Sequence, residues 1–369
     1  MSHPTLWYTR CPVPTAFGIA LRLGRLQDDL AADGIEIKSL IHVPDRKTRE
    51  SHFTHTLENS FRHGGNTPSI FAKATGADTR LIGLSWTEAP HVILTLPDSG
   101  IRTVADLKGR RLAVRRHVNA VIDFGRALTL RAYEQALRSA GLSLDDVKLV
   151  EFPLEYENLN RSRISNEDRD ARAKGPDIEA VRANLPQRAR THADAFALVR
   201  GQVDAIFLET GASARVANLL GLHAVIDTRT LPHPLQRANN AVPQAFTVSG
   251  ALAESRPDLV ARVLAHSIEA AAWAKANATE ALRFLAAESG NSEAVIEQAY
   301  GPEVTRTLDI DLSEQNLGAI ADNQRFLLKH GFIPKAVDID AWVDPRPLEL
   351  ARSLVAERAA AHAPSPVLV

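Results

Sequence analysis

The chain of 369 residues is 45% hydrophobic and 24% charged, with 43 basic and 44 acidic side chains and a formal net charge of −1. This composition excludes a chain disordered throughout, and the near-neutral balance lacks the basic excess needed to neutralise nucleic-acid phosphates. The one cysteine, Cys11, excludes an intrachain disulfide and a cysteine-rich zinc site, and at this length apolar packing alone can hold a fold.

No apolar run of about 18 residues occurs, so no membrane partner is expected. The start, Met1 to Tyr8, lacks the charged and apolar regions of a secretion signal, which predicts a cytoplasmic location. In chain order the pattern predicts a strand at 5–9, a helix over 16–33, a strand at 35–41, a helix over 66–76 and a strand at 79–84. Alternation at this spacing implies an open α/β sheet with parallel strands.

A second half begins near Thr103, where a helical turn and Gly109 precede a buried strand at 112–114. Helical spacing over 124–140 ends on Gly141, a left-handed stop, and a strand follows at 147–152. Residues 155–173 are polar and aperiodic and are expected to form a loop or lid. A helix over 188–200 leads through Gly201 into a strand at 203–207. Beyond Glu254 the chain turns helical, at 259–277, 279–289, 292–300 and 313–330. No internal repeat and no low-complexity tract is present.

Cys11 follows the first strand, flanked by Arg10 and the rigid Pro12-Val13-Pro14, where α/β sheets bind ligands beyond the carboxyl ends of their strands. An adjacent cation makes a thiol more reactive. Arg62 offers a planar fork for two oxygens of an oxyanion, and Gly64-Gly65 lets backbone N–H groups approach the same anion. Arg115-Arg116 closes the buried strand at the ligand end of the sheet. A lone cysteine is also a common small core residue. His52, His55, His63 and Cys11 could alternatively be metal ligands, although no convincing carboxylate accompanies them, and neither Gly-x-Gly-x-x-Gly nor a Walker pattern occurs. Trp273 and Trp342 read as core.

The segments Val104-x-Asp106-Leu107-x-Gly109-x-Arg111-x-Ala113-Val114, Leu198-Val199-Arg200-Gly201-Gln202-Val203-Asp204-Ala205 and Arg256-Pro257-Asp258-Leu259-Val260 resemble the sulfonate/taurine solute-binding proteins of ABC transporters. That resemblance implies an α/β, two-lobed periplasmic-binding-protein-like fold (type II) with a hinged interdomain cleft. The expected lobes are 1–97 with 239–369, and 98–238. A narrower match is carried by Tyr8-Thr9-Arg10-Cys11-Pro12-Val13-Pro14, His52-Phe53-Thr54, Arg62-His63-Gly64-Gly65, Asn323-Gln324-Arg325-Phe326-Leu327-Leu328 and Asp340-x-Trp342. These resemble the hydroxybiphenyl sulfinate desulfinases of dibenzothiophene desulfurisation.

The resemblance implies a metal-free, cofactor-free enzyme acting on a small organic sulfinate and releasing sulfite. Cys11 is then the catalytic thiol, Arg62 and Gly65 hold the sulfinate, and His52 sits on a loop that orders with substrate. Gly64, Arg10, Arg115, Arg116 and Glu209 complete the expected substrate contacts. The family tends to small residues where Arg115-Arg116 stand, and to a Trp-bearing segment where Phe207-Leu208-Glu209-Thr210-Gly211 stands. The expected cleft is therefore more polar, suited to a sulfinate with a second acidic or strongly polar group. A monomer is expected. The rival from another class is a non-enzymatic binding protein for a sulfonate or related anion, closing by a hinge.

Overall fold

In the computed structural model the described residues are 5–11, 13–40, 43–154 and 193–361. The expected loop at 155–173 lies outside them. Strand β1 (Thr5–Arg10) pairs in parallel with β2 (Glu36–Ser39) on one side and β3 (Ser60–Gly65) on the other. The sheet is not wholly parallel. Between β3 and β4 (Thr79–Ser85) runs β10 (Gln244–Ser249), antiparallel to both, giving the order β2-β1-β3-β10-β4.

A second set of strands lies elsewhere in the chain. β5 (His91–Thr95) pairs antiparallel with β8 (Ile206–Glu209) and with β9 (His223–Asp227). β6 (Arg111–His117) and β7 (Lys148–Leu154) form a parallel pair, and the Ala113 N–H joins the chain entering β8 by donating to the Ala205 carbonyl at 3.0 Å. β5 falls just before the expected lobe boundary at 97, yet all its strand partners belong to this second set.

The expected helix over 16–33 is two helices, Ala16–Leu23 and Arg25–Ala32. The break is Gly24, whose φ of 77° lies in the left-handed region that a side chain penalises. Upstream, the Thr15 hydroxyl accepts the Gly18 N–H at 2.9 Å and caps the first helix at its entry. This matters for the site because Thr15 ends the short turn that begins at Cys11.

The helix Phe124–Ser139 is opened by the Asp123 carboxylate, which accepts the Arg126 N–H at 3.1 Å. The helices Pro257–Ala276, Ala278–Ser289, Glu293–Tyr300 and Glu314–Lys329 fall where their periodicity placed them. One further helix, Arg346–Ala361, buries Leu348 and Ala351 in the same core as Pro257–Ala276.

Apolar burial supplies the main driving force. One core packs β1, β10 and the carboxyl-terminal helices around Phe17, Phe61 and Phe246, and a second gathers Leu112, Tyr133, Phe207 and Trp342. Trp342 is fully buried, with its indole N–H donated to the Thr79 hydroxyl at 3.0 Å, and so is core as expected.

Candidate active site

β1 delivers its last residues to the carboxyl edge of the first sheet. Side chains alternate along a strand, so Thr9 and Cys11 share one face while Arg10 takes the other. Arg10 accordingly turns away from the thiol and forms a buried ion pair with Glu288 of the helix Ala278–Ser289. The expectation that Arg10 electrostatically activates Cys11 is corrected by this geometry.

The cation that does face the sulfur is Arg62, in the middle of β3, with its Nη2 donating to Cys11 Sγ at 3.6 Å. Arg62 is 1% exposed, and no carboxylate pairs with it among the described residues. Its other donors are engaged: Nε with the His52 carbonyl at 2.9 Å, and Nη1 with the Gly65 carbonyl at 2.8 Å and the Ser69 hydroxyl at 2.9 Å. The expected free fork is thus corrected. One edge of the guanidinium, at Nη2, faces the thiol, and the rest ties together two backbone carbonyls and the Ser69 hydroxyl.

His52 lies in the short helix Ser51–Thr54. Its Nε2 stands 3.8 Å from Cys11 Sγ and its Nδ1 2.7 Å from Thr9 Oγ1. Burial, reinforced by the nearby Arg62 charge and by His55, holds its pKa well below the usual imidazole value, so the ring is neutral at physiological pH. Cys11 as a residue is partly exposed.

Gly64 is required by closeness. A Cβ built there would stand 2.7 Å from Cys11 Sγ and 2.9 Å from the Cys11 backbone nitrogen. Gly65 plays the corresponding part against Asn240, whose side chain a Cβ would strike. The first N–H groups of the helix Asn66–Ala74 do not form a vacant nest. Asn66 N–H donates to the Asn240 carbonyl at 2.7 Å, and Thr67 N–H to Asn240 Oδ1 at 3.1 Å.

The candidate metal ligands are engaged separately. His55 Nε2 meets the Ser60 carbonyl at 3.2 Å, and His63 stacks on Phe246 at 4.4 Å between ring centroids. Among the described residues no group of three or more histidine, cysteine, aspartate or glutamate side chains could hold a metal ion.

The residues expected to bind from a second lobe sort differently from expectation. Arg115, which leads off the charged end of β6, donates from Nε to Asp194 at 2.8 Å and from Nη2 to the Phe207 carbonyl at 3.0 Å. Burial alone pulls its pKa down, and the Asp194 and Glu209 charges more than reverse this. Arg116 is exposed and pairs with Glu151 at 3.3 Å in a groove that also includes Arg126 and His330. That groove is lined by none of Cys11, His52 and Arg62. The picture of two arginines awaiting an acidic ligand group is corrected, because each already has a carboxylate.

Glu209 is different. It ends β8 at a carboxyl edge, its carboxyl accepts no hydrogen bond among the described residues, and burial pushes its pKa up against the pull of Arg115. The buried His91 stands 3.8 Å from it. The next residue, Thr210, has a φ of 56°, a conformation that a β-branched side chain strongly disfavours and that tends to persist at functional sites.

Sequence reasoning missed Thr9, Ser69 and Asn240. Thr9 was findable, since two residues before a strand-end thiol is the same face. Asn240 becomes a neighbour of β3 only through the folding of β10.

Three buried histidines set an acid limit on the fold. Burial lowers the pKa of His55 to about 4 and those of His63 and His91 to about 3. The unfolded chain titrates them near 6.5 and so binds more protons than the native state below that pH. Stability should be level above pH 7 and fall from about 6.5 toward 3, with each histidine costing on the order of 3–5 kcal/mol once the pH is below its folded value. Urea unfolding followed across this range checks the sign, and a midpoint that rises on acidification contradicts it.

Comparison with known proteins fits this geometry. Residues 59–161 match the family described as NMT1/THI5 like. The 2'-hydroxybiphenyl-2-sulfinate desulfinase of Rhodococcus erythropolis is 27% identical over 360 residues, covering 92% of both chains. The chain resembles a sulfinate desulfinase nearly from end to end. A solved desulfurization enzyme superposes with a TM-score of 0.72 at 26% identity, over 95% of this chain and 99% of its own. The periplasmic aliphatic sulphonate binding protein of Escherichia coli superposes with a TM-score of 0.63 at 20% identity, over 92% of each chain. The fold is therefore the expected α/β two-lobed, binding-protein-like one, shared by a desulfinase-like chain and by transport proteins.

Proposed function

We propose that this protein is a cysteine-dependent desulfinase that cleaves the C–S bond of an organic sulfinate and releases sulfite. The observation that carries the reading is the sulfur of the partly exposed residue Cys11, met by a neutral imidazole and by a buried guanidinium that has no carboxylate partner among the described residues. An uncompensated buried cation favours an anion at its open edge, and a sulfinate is such an anion. In the net reaction the sulfinate and one water give the hydrocarbon R–H and hydrogen sulfite, a hydrolysis.

Two routes conserve these atoms. In the first, the Cys11 sulfur attacks the sulfinate sulfur, the C–S electron pair leaves with carbon and takes a proton there, and water then frees sulfite from the S–SO2 adduct. In the second, Cys11 S–H protonates the carbon, and water takes up the sulfur dioxide that departs. Hinge closure of the proposed lobes, 1–97 with 239–369 against 98–238, would exclude bulk water from the sulfur. A transport-type binding protein has no chemical use for a thiol so faced, and that reading is not favoured. The free thiol suits a reducing, cytoplasmic setting, and a monomer suffices for the residues named. Sulfite release from a panel of aryl and alkyl sulfinates is the test, and its absence across the panel refutes the reading.

Glu209, rather than the arginine pair, is proposed as the contact for a second polar group of the substrate. An acidic second group would meet a carboxyl there, whereas a hydroxyl or amine would find a hydrogen-bond partner. We expect hydroxylated or amino-bearing sulfinates to exceed carboxylated analogues in kcat/KM by about tenfold, one good hydrogen bond against one repulsion. Glu209→Gln should narrow that ratio. A preference for carboxylated analogues in the wild type would restore Arg115 and Arg116 as the ligand contacts.

A further inference from the structure

We propose that Thr9 is a positioning residue that selects the tautomer of His52, so that Nε2–H points at the Cys11 sulfur. The inference rests on the reading of Cys11 and His52 as the reacting pair and concerns a residue that reading does not need.

Thr9 is 7% exposed, and its Oγ1 lies 2.7 Å from His52 Nδ1. Among the described residues this is the only hydrogen bond of the Thr9 hydroxyl. A hydroxyl carries one hydrogen, and a neutral imidazole carries one N–H. If Nδ1–H donated to Thr9, the threonine hydrogen would be buried with no acceptor among the described residues. If Thr9 O–H donates to Nδ1, that hydrogen is satisfied and the ring proton must sit on Nε2.

The second arrangement leaves no polar hydrogen stranded. It also agrees with the neutral state that burial and the Arg62 charge impose on His52. The Cys11 thiol, His55 and Arg62 are titratable groups that face this ring, and the charges of His55 and Arg62 oppose its protonation.

The consequence concerns the sulfur. Nε2–H at 3.8 Å and Arg62 Nη2–H at 3.6 Å both point donors at Sγ. A sulfur met by two donors is placed as an acceptor, the arrangement of the first route, in which it attacks. His52 is then a donor to the sulfur, not the base that removes its proton. The orienting third group familiar beside a nucleophile and histidine is here a neutral hydroxyl in place of a carboxylate.

The test reads the tautomer directly. Nitrogen-15 spectra of the full-length protein with labelled histidine, with His52→Gln to assign the signals, should show His52 Nδ1 unprotonated and Nε2 protonated. A protonated Nδ1 in the wild type overturns the proposal whatever the variants do. Because Cys11 is the only cysteine, its alkylation by iodoacetamide reports on one sulfur. Thr9→Val should slow alkylation at neutral pH about five- to tenfold, the worth of one hydrogen bond, and Thr9→Ser should restore it. An unchanged rate in Thr9→Val, or equal slowing in Thr9→Ser, also overturns it. Sulfite release plays no part in either readout, so failure of the desulfinase reading is scored separately.

Discussion

Cys11→Ser should lower sulfite release by at least about a thousandfold while binding of a sulfinate stays within a few-fold of the wild type. The hydroxyl that replaces the thiol is smaller and fits against Gly64, where the sulfur already excludes a Cβ at 2.7 Å. Arg62 stays in place because its firm contacts are with the His52 and Gly65 carbonyls and Ser69, none of which the substitution touches. An alcohol is far less acidic and less nucleophilic than a thiol, so either route through Cys11 stops. Calorimetric titration with an aryl sulfinate, beside a colorimetric sulfite assay, separates binding from turnover. Full sulfite release by the serine variant excludes Cys11 as the reacting group, whichever route is written.

How much of this was legible beforehand depended on where burial was one-sided. A helix with one buried face, such as Glu314–Lys329, announces itself by spacing. β3 and β10 do not, because all six residues of each are buried. Ser60-Phe61-Arg62-His63-Gly64-Gly65 carries an arginine and a histidine inward, so hydropathy alternation reads it as a loop. The strand that supplies the key cation is thus poorly visible in the sequence. Within the site, residue identity was readable from motif and spacing, but direction was not. Arg10 looked like the cation for the thiol and Arg62 like a fork for the anion, whereas strand alternation sends Arg10 to Glu288 and leaves Arg62 facing the sulfur. Arg115 and Arg116 misled for a related reason, since their partners Asp194 and Glu151 are 79 and 35 residues away.

Arg62→Lys should be the most damaging conservative change in the protein. Lysine offers one compact ammonium, while Arg62 makes contacts in four directions from a planar group. A buried ammonium can satisfy the Gly65 carbonyl and Ser69, or it can approach Cys11 Sγ, but it cannot also reach the His52 carbonyl. Each buried acceptor left without its donor costs about 1–3 kcal/mol, so a loss of roughly 2–4 kcal/mol in stability is expected. The kinetic effect should be larger in proportion. Arg62 ties the His52 backbone to the end of β3, and once that tie is cut the imidazole is free to move from its 3.8 Å position beside the sulfur. Displacement of a reacting group by about 1 Å costs on the order of a hundredfold in rate. We therefore expect kcat to fall by at least a hundredfold, with KM raised as well because the sulfinate loses its guanidinium edge. Thermal denaturation and steady-state sulfite release on the same preparation measure both. Wild-type kcat in a lysine variant of reduced stability would mean that Arg62 is a brace for the fold alone, and the anion would then need another cation.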